Sequence, residues 1–394
     1  MNFAPFYNKR TEKSGNVLRI KSSKLSPTEN KIKYINGTIG LFNLGNTCYL
    51  NSSIQNLKNI YPLTLYLLSN YALFDINGFT YKYCTLIANL INQEKTQFVE
   101  PNEFVNKLCE SEPTFILGQQ NDSNICIITI LNLLEKETKR FNNSKKLNTN
   151  RIFNLNNEEN EKFKLFLNKL NEERNSFIID YFSGFQEEIY QCNFCNYRNY
   201  TFKEINILNL SIMTRNNNSI KTLKDAIQYY QYEQLYYNEA DFTCTFCSNH
   251  KITTRSIFIS LPNILITNIK RIGDEKNDFY KHNIIIPDIL EINKIIANIN
   301  CKYELTGFIK HIMEAKSWHN IAICKNFFDN RWYEYNDSDV KSLNNSQSSN
   351  NYYNSNEIDT SDGFLFFYKK KEDIISEYEK DIIINKSLNL RKYF

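Results

Sequence analysis

The chain has 394 residues, 42% of them apolar and 23% charged, which is enough for the core of one large domain or two moderate ones and too apolar for a disordered protein. Its net charge of +4 is too small to argue for a nucleic-acid partner, and no apolar run reaches the ~18 residues that span a bilayer. The N-terminal MNFAPFYNKR has no continuous apolar stretch to serve as a signal peptide, so the chain reads as cytoplasmic or nuclear and its 10 cysteines as thiols, a nucleophile or metal ligands, not a disulfide framework.

Residues 1–36 read as a flexible basic tail, with Lys9, Arg10, Lys13, Arg19, Lys21, Lys24, Lys31 and Lys33 set against only Glu12 and Glu29. The tail is either a solvated segment or a patch for an acidic partner or nuclear import. Next comes Gly40-Leu41-Phe42-Asn43-Leu44-Gly45-Asn46-Thr47-Cys48-Tyr49-Leu50-Asn51. Its glycines and asparagines predict a tight polar turn. Asn46 or Thr47 is placed to cap a following helix, whose Leu50, Ile54 and Leu57 share one face. Cys48 then falls in the first helical turn, where free N–H groups and the helix dipole favour a thiolate. Asn43, just upstream, offers a side-chain N–H₂ to a developing oxyanion.

Further helices are predicted near 62–72, 80–93, 101–110 and 123–136. Residues 137–157, rich in Asn and Lys, read as a surface insertion. Phe163, Phe166, Leu167 and Leu170 repeat the helical spacing. From about 177 the pattern turns β-like, in EEIYQC, INILNLSI, RSIFISL, ILITNIK, YELTGFIKHI, HNIAIC, RWYEYND and GFLFFYKK. Ile321 and Ile323 alternate with Ala322 and Cys324. The polar run SLNNSQSSNNYYNSNE reads as a disordered loop. Helices first and strands later, with little βαβ alternation, predict an α+β fold.

Two C-x₂-C knuckles, Cys192/Cys195 and Cys244/Cys247, supply four thiolates in two pairs. They suit a tetrahedral, structural Zn²⁺, with the intervening residues forming a long β-hairpin pinned at its base or tip. A redox role for one C-x-x-C is the alternative. His250 is a spare ligand candidate. A nucleophilic thiolate also needs a histidine, and the choice is among His250, His282, His311 and His319.

The string from Gly40 to Asn51 resembles the Cys box of the ubiquitin-specific proteases, G-L-x-N-L-G-N-T-C-Y-x-N. The run YELTGFIKHIMEAKSWHNIAICKN, then RWYEYNDSDV and GFLFFYKK, resembles the His box of that family. The resemblance implies Cys48 as nucleophile, Asn43 as oxyanion donor, His319 as general base, Asn336 as its orienting partner, Asp337 beside it, and His311 as a non-catalytic histidine. Gly118 to Ile125 resembles the block Q-Q-D-A-x-E-F-L, with Gln120 and Asp122 matched and Ile125 where the family has Glu. Asp122 is either a reader of arginine on the substrate tail or the N-cap of the next helix. Leu261-Pro262, Lys270-Arg271, Phe182 to Phe185 and Lys281 to Pro287 match weaker blocks. Two positions depart: the family's G-H-Y is Trp318-His319-Asn320 here. Trp318 puts a bulky side chain beside the narrow channel for a Gly-Gly tail, and Asn320 removes a wall of that channel.

The resemblance, spanning about 40–371, implies a papain-like α+β fold of thumb, palm and zinc-ribbon fingers. The catalytic domain would run over 37–371, with the thumb at about 40–175, the fingers at about 185–260 and the palm at about 176–184 and 261–371. Residues 372–394 would be a C-terminal tail able to form a short helix. The implied activity is that of a thiol-dependent deubiquitinase hydrolysing the isopeptide bond after the terminal glycine of ubiquitin. Its partners would be ubiquitin and ubiquitinated proteins, with no nucleic acid and no membrane. The departures keep two alternatives open: an inactive ubiquitin-binding scaffold, and a protease for another ubiquitin-like modifier. A zinc-finger nucleic-acid binder is disfavoured because the knuckles lack clustered basic residues.

Overall fold

The computed structural model describes residues 37–92, 97–139, 157–214, 218–231, 234–236, 243–271, 284–292, 301–314, 317–343, 359–371 and 377–391. The N-terminal tail, most of the 137–157 insertion, His282 and most of the polar run at 342–357 lie outside the described residues.

The first half is helical: α1 (Cys48–Asn59), α2 (Tyr61–Asn70), α3 (Phe79–Asn92), α4 (Asn102–Ser111), α5 (Ser123–Glu137), α6 (Asn157–Arg174) and the short α7 (Phe177–Phe182). A small parallel pair joins β1 (Gly40–Leu41) to β2 (Phe98–Val99). The strands that follow are β3 (Gly184–Cys192), β4 (Arg198–Ile205), β5 (Ile207–Ser211), β6 (Gln234–Tyr236), β7 (Ile252–Ser260), β8 (Ile264–Lys270), β9 (Ile289–Glu291), β10 (Lys302–Glu314), β11 (Ser317–Lys325), β12 (Trp332–Asn336), β13 (Asp339–Ser342) and β14 (Gly363–Lys370). Two further helices are α8 (Leu223–Tyr230) and α9 (Glu377–Arg391). The large sheet runs β13-β12-β11-β10-β14-β8-β5, with β9 also on β10, and a second sheet runs β4-β3-β7-β6.

The described fold is α+β with mixed helix and sheet, as the pattern of the sequence predicts. Helix α1 is the hinge of the architecture. Leu50, Ile54 and Leu57 pack into the helical core, as their spacing predicts, yet all 12 of its residues are buried. Its polar side chains tolerate this by bonding backbone. Ser53 Oγ donates to Tyr49 O (2.7 Å), Gln55 Nε2 to Ile39 O (2.9 Å), and Asn56 Nδ2 to Ser52 O (3.0 Å) and Phe308 O (3.4 Å). Gly307 is needed at this crossing, because a Cβ there would collide with Asn56 Oδ1. Strand β11 splits its side chains as the alternation predicts. Ile321 and Ile323 enter the core of the large sheet, while Ala322 and Cys324 pack with Tyr335 on the other face.

Three features depart from expectation. The residues between the knuckles are not a single hairpin. Strand β5 leaves the finger sheet to pair in parallel with β8, and α8 packs with it in the core of the large sheet. Both lie inside the span expected as fingers. Helix α9, in the expected tail, is part of the helical core through Ile383 and Leu390, and Asn92 Nδ2 bonds Ser387 Oγ beside them. At the junction with the finger sheet, Arg174 donates to Glu135 Oε1 (2.7 Å) and Oε2 (2.6 Å) and to Glu204 Oε2 (2.5 Å), linking α5, α6 and β4.

Lys58 is 1% exposed. Its Nζ donates to Gly37 O (2.6 Å) and lies over the Tyr335 ring at 4.7 Å. Burial pulls its ammonium down to about 7, only partly offset by the nearby Cys324 thiol. In the unfolded chain the same lysine holds its proton to about pH 10.4. Between about 7 and 10.4 the unfolded state therefore binds more protons, and Lys58 favours folding increasingly as pH rises. The melting temperature of the wild type relative to Lys58→Met is expected to climb by several degrees from pH 7 to pH 10. Parallel curves over that range would refute this account.

Candidate active site

The turn before α1 is set by left-handed backbone at Gly45 (φ 96°) and Asn46 (φ 56°), conformations that glycine and asparagine tolerate best. Neither expected cap acts as one. Thr47 occupies the N-cap position of α1 without a side-chain cap bond. Its hydroxyl instead accepts from Leu44 N (2.9 Å) and donates to Asn43 Oδ1 (3.2 Å). Asn46 Nδ2 donates to Gly118 O (2.8 Å), tying the turn to the loop before α5. The consequence is that the N-terminal amides of α1 are not covered by a side chain, and Cys48 opens the helix where they point.

Cys48 is buried at 3% exposure, and the His319 imidazole lies within hydrogen-bonding reach of its sulfur. His319 Nε2 sits 2.7 Å from Asn336 Oδ1, which leaves Nδ1 to serve the sulfur. The Cys48 contact is the largest cause raising His319, to about 9, with Asn336 and the Asp337 charge adding to it and burial opposing. The antiparallel pairing of β11 with β12 brings His319 and Asn336 together.

Asp337 is not the nearer partner of His319, its Oδ2 lying 3.8 Å from Nε2. Its carboxylate accepts from Asn43 Nδ2 at Oδ2 (2.8 Å) and from Asn51 Nδ2 at Oδ1 (2.8 Å). Asn43 Oδ1 in turn accepts from Gly45 N (2.9 Å) and Thr47 N (3.1 Å). The Asn43 amide is thus pinned at both ends, and its second N–H remains for another acceptor. Asp337 holds left-handed backbone (φ 51°), and its carbonyl receives Leu41 N (2.8 Å). A Cβ on Gly40 would strike Ser338 O, so glycine permits this close approach. Asn51 is a contributor to which the sequence reading assigned no role, although it closes the motif. The signal was there in its position, one turn after Cys48.

Beside the dyad, Gln120 Nε2 donates to Trp318 O (2.6 Å), joining the loop before α5 to β11. Asp122 is the N-cap of α5, with Oδ1 accepting from Asn124 N (2.6 Å) and Ile125 N (3.2 Å), and it stays exposed. Ile125 is 51% exposed and Trp318 36%. His311 stacks face to face on Phe364 at 3.9 Å, away from the dyad's bonds.

The knuckles converge at the end of the finger sheet. The sulfurs of Cys192, Cys195, Cys244 and Cys247 all lie within 4.8 Å of one another, with Cys192–Cys247 at 3.6 Å and Cys195–Cys244 at 3.7 Å. A tetrahedron with Zn–S bonds of ~2.3 Å has S···S edges of about 3.8 Å. The two turns repeat each other. Asn196 N bonds Cys192 O (3.0 Å) and Ser248 N bonds Cys244 O (2.9 Å), each from a left-handed residue. Amides of Cys195 and Phe194 draw the Cys192 thiol down to about 6. The donor set fits a structural zinc. His250 lies outside it, bonding Thr243 Oγ1 at 3.1 Å.

The family model for ubiquitin carboxyl-terminal hydrolases matches residues 39–368. The chain belongs to this family. Ubiquitin carboxyl-terminal hydrolase 2 of Bos taurus is 26% identical over 374 residues, covering 91% of this chain and 59% of the relative. The Gallus gallus enzyme of that name is 25% identical, covering 88% of this chain and 98% of the relative. The chain thus spans less than two thirds of the bovine relative. Among solved structures, the SAGA Ubp8/Sgf11/Sus1/Sgf73 DUB module bound to ubiquitin aldehyde superposes with a TM-score of 0.63 at 17% identity, covering 88% of this chain and 72% of that one. The same module bound to monoubiquitin gives 0.63 at 17%, covering 86% and 70%. These likenesses establish the fold of a ubiquitin carboxyl-terminal hydrolase domain. Helix α9 lies beyond the matched residues.

Proposed function

We propose that this chain is a deubiquitinating cysteine protease that hydrolyses the isopeptide bond between the terminal glycine of ubiquitin and a lysine of a protein substrate. The observation that carries the reading is the meeting of Cys48, His319 and Asn336 from distant parts of the chain. The Cys48 thiolate adds to the glycine carbonyl carbon, and the carbonyl electron pair moves to oxygen. The free N–H of Asn43 and the amides at the start of α1 receive that oxyanion. Collapse breaks the C–N bond, and His319 gives its proton to the departing lysine amine. His319 then takes a proton from water, whose oxygen attacks the thioester and returns ubiquitin and free Cys48. Asn336 holds the imidazole plane, and Gln120, Asp122 and Trp318 line the approach of the tail.

A zinc ion on the four knuckle thiolates would pin the fingers and take no part in the reaction. A cytoplasmic or nuclear setting suits reduced thiols at both sites. The direct test is a ubiquitin carrying a C-terminal thiol-reactive group. The wild-type chain is expected to form one covalent adduct at Cys48, and absence of an adduct under conditions that label other deubiquitinases would refute the proposal.

The raised His319 sets the pH dependence. Its imidazolium persists until about pH 9, so the general acid is present throughout the neutral range and is lost above it. The kcat/KM for a ubiquitin-derived fluorogenic substrate is expected to fall on an alkaline limb centred near 9, moving to lower pH in Asn336→Ala. A limb at the ordinary histidine value of about 6.5 would contradict this geometry.

A further inference from the structure

Gln120, Asp122 and Trp318 line one cavity together with His311 of β10, so the proposed approach of the ubiquitin tail lies on the β10 side of the dyad. In the other direction the large sheet continues from β11 through β12 to β13. There Asn336 bonds His319, Asp337 O accepts Leu41 N (2.8 Å), and Ser338 O lies where a Cβ on Gly40 would strike it. Strand β1 and its partner β2 therefore stand against the β12–β13 turn, with the dyad between them and the tail cavity. A tail that enters from the cavity leaves this far side to the departing lysine amine and the substrate chain that carries it.

On the far side the small parallel pair turns two aromatic rings outward. Gly40 is in register with Phe98 and Leu41 with Val99, and Phe42 N bonds Val99 O (2.8 Å). Leu41 and Val99 enter the helical core, so strand alternation sends Phe42 and Phe98 to the opposite face. They are 42% and 38% exposed, with ring centroids 5.7 Å apart. The backbone beneath them is fixed, because Asn51 Nδ2 donates to Phe42 O (3.3 Å) as well as to Asp337. Phe42 immediately precedes Asn43, the oxyanion donor of the proposed reaction. The polar side chains around the rings are already bonded within the fold: Asp337 accepts from Asn43 and Asn51, and Glu100, two residues after Phe98, accepts from Asn102 Nδ2 (3.0 Å). What this side offers a substrate is apolar ring surface, held rigidly beside the reacting centre and open to water. We propose that Phe42 and Phe98 form a leaving-side platform that takes an apolar side chain flanking the modified lysine, so that the chain prefers lysines with apolar neighbours. The inference rests on the deubiquitinase reading. The lysine reaches the site through its four-carbon stem, so the peptide that carries it stays at the rim, where the two rings are.

The test uses the full chain and three substrates. Two are ubiquitin joined by an isopeptide bond to the lysine of a fluorescent peptide, with leucine on both sides of that lysine in one and serine in the other. The third is ubiquitin with a small fluorogenic leaving group, too short to reach the rings. The wild type is expected to favour the leucine-flanked peptide over the serine-flanked one by about tenfold in kcat/KM. Phe98→Ser, on β2 and outside the turn that holds Asn43, should cut that ratio to about threefold, and the double variant Phe42→Ser/Phe98→Ser should bring it to about one, with fluorogenic turnover within about twofold of the wild type. Phe98→Tyr keeps the ring and should keep most of the preference. A wild type that cleaves the two peptides equally, or a double variant that retains the preference, would overturn this inference alone, since turnover of the fluorogenic substrate upholds the deubiquitinase reading. Equal losses on all three substrates in both serine variants would also overturn it, by showing a structural role. A wild type that cleaves none of the three overturns the deubiquitinase reading and this inference together.

Discussion

Replacing Cys48 with alanine is expected to lower kcat/KM on a ubiquitin-derived fluorogenic substrate by about 10⁴-fold or more, while ubiquitin affinity is retained. In the proposed reaction the sulfur is the atom that forms the covalent bond, and no other described cysteine lies in the bonds of the dyad. The two neighbours of the imidazole should separate by mechanism. Asn336 bonds Nε2 directly at 2.7 Å, whereas Asp337 lies 3.8 Å away and is occupied by Asn43 and Asn51. Asn336→Ala therefore frees the ring, lowers kcat and shifts the alkaline limb. Asp337→Ala acts through Asn43, whose amide loses its anchor, and costs about 10²-fold in kcat as for a lost oxyanion donor. It should leave the limb closer to 9. A larger shift of the limb in Asp337→Ala than in Asn336→Ala would show that Asp337, not Asn336, orients the histidine.

Loss of a zinc ion from the four knuckle thiolates that suit it is the second large effect expected. The tip of the finger sheet has almost no core apart from its thiols: Cys192, Cys244 and Ile252, with Tyr190, Cys195 and Cys247 against them. Structural zinc contributes ~10–16 kcal/mol to the folding of comparably small units, and among the described residues the tip has only this small cluster besides. The base of β3 and β7 is held independently, where Phe185 and Ile259 pack with Phe163 of α6. Chelation, or Cys244→Ser, is expected to remove one bound zinc per chain. It should also abolish hydrogen-exchange protection at 188–201 and 243–256 and weaken ubiquitin binding by about tenfold or more. The rate of Cys48 alkylation by a small reagent should hardly change, because the dyad lies on other elements. Retained protection at the tip after metal removal would refute the assignment.

Much of the candidate site was legible in the sequence. A motif of fixed residues around Cys48 and the order of the strands carrying His319 and Asn336 are properties of short segments, and short segments can be read. Gln120, picked out by the same means, bonds the carbonyl of Trp318 next to His319, and the C-x₂-C spacing anticipated the four-sulfur cluster. What escaped was set by distant contacts. That Thr47 turns its hydroxyl to Asn43 instead of capping α1 depends on Asp337, nearly three hundred residues away. The bond of Asn51 to Asp337 and that of Asn320 to Ser123 form only when the helical half meets the sheet. The spacing of Leu50, Ile54 and Leu57 shows one apolar face of α1, yet the whole helix is enclosed, because its Ser, Asn and Gln side chains bond backbone. Helix α9 has a polar sequence whose inward Ile383, Ser387 and Leu390 form a thin stripe, easily passed over as a tail.

That stripe bears on the order of events during synthesis. The hydrophobic centre around α2 and α3 is closed by side chains that leave the ribosome after the entire large sheet. Until then the nucleophile-bearing lobe has an uncovered apolar seam, so a nascent chain halted anywhere before α9 should be a client for chaperones even though its motif and histidine have already been translated.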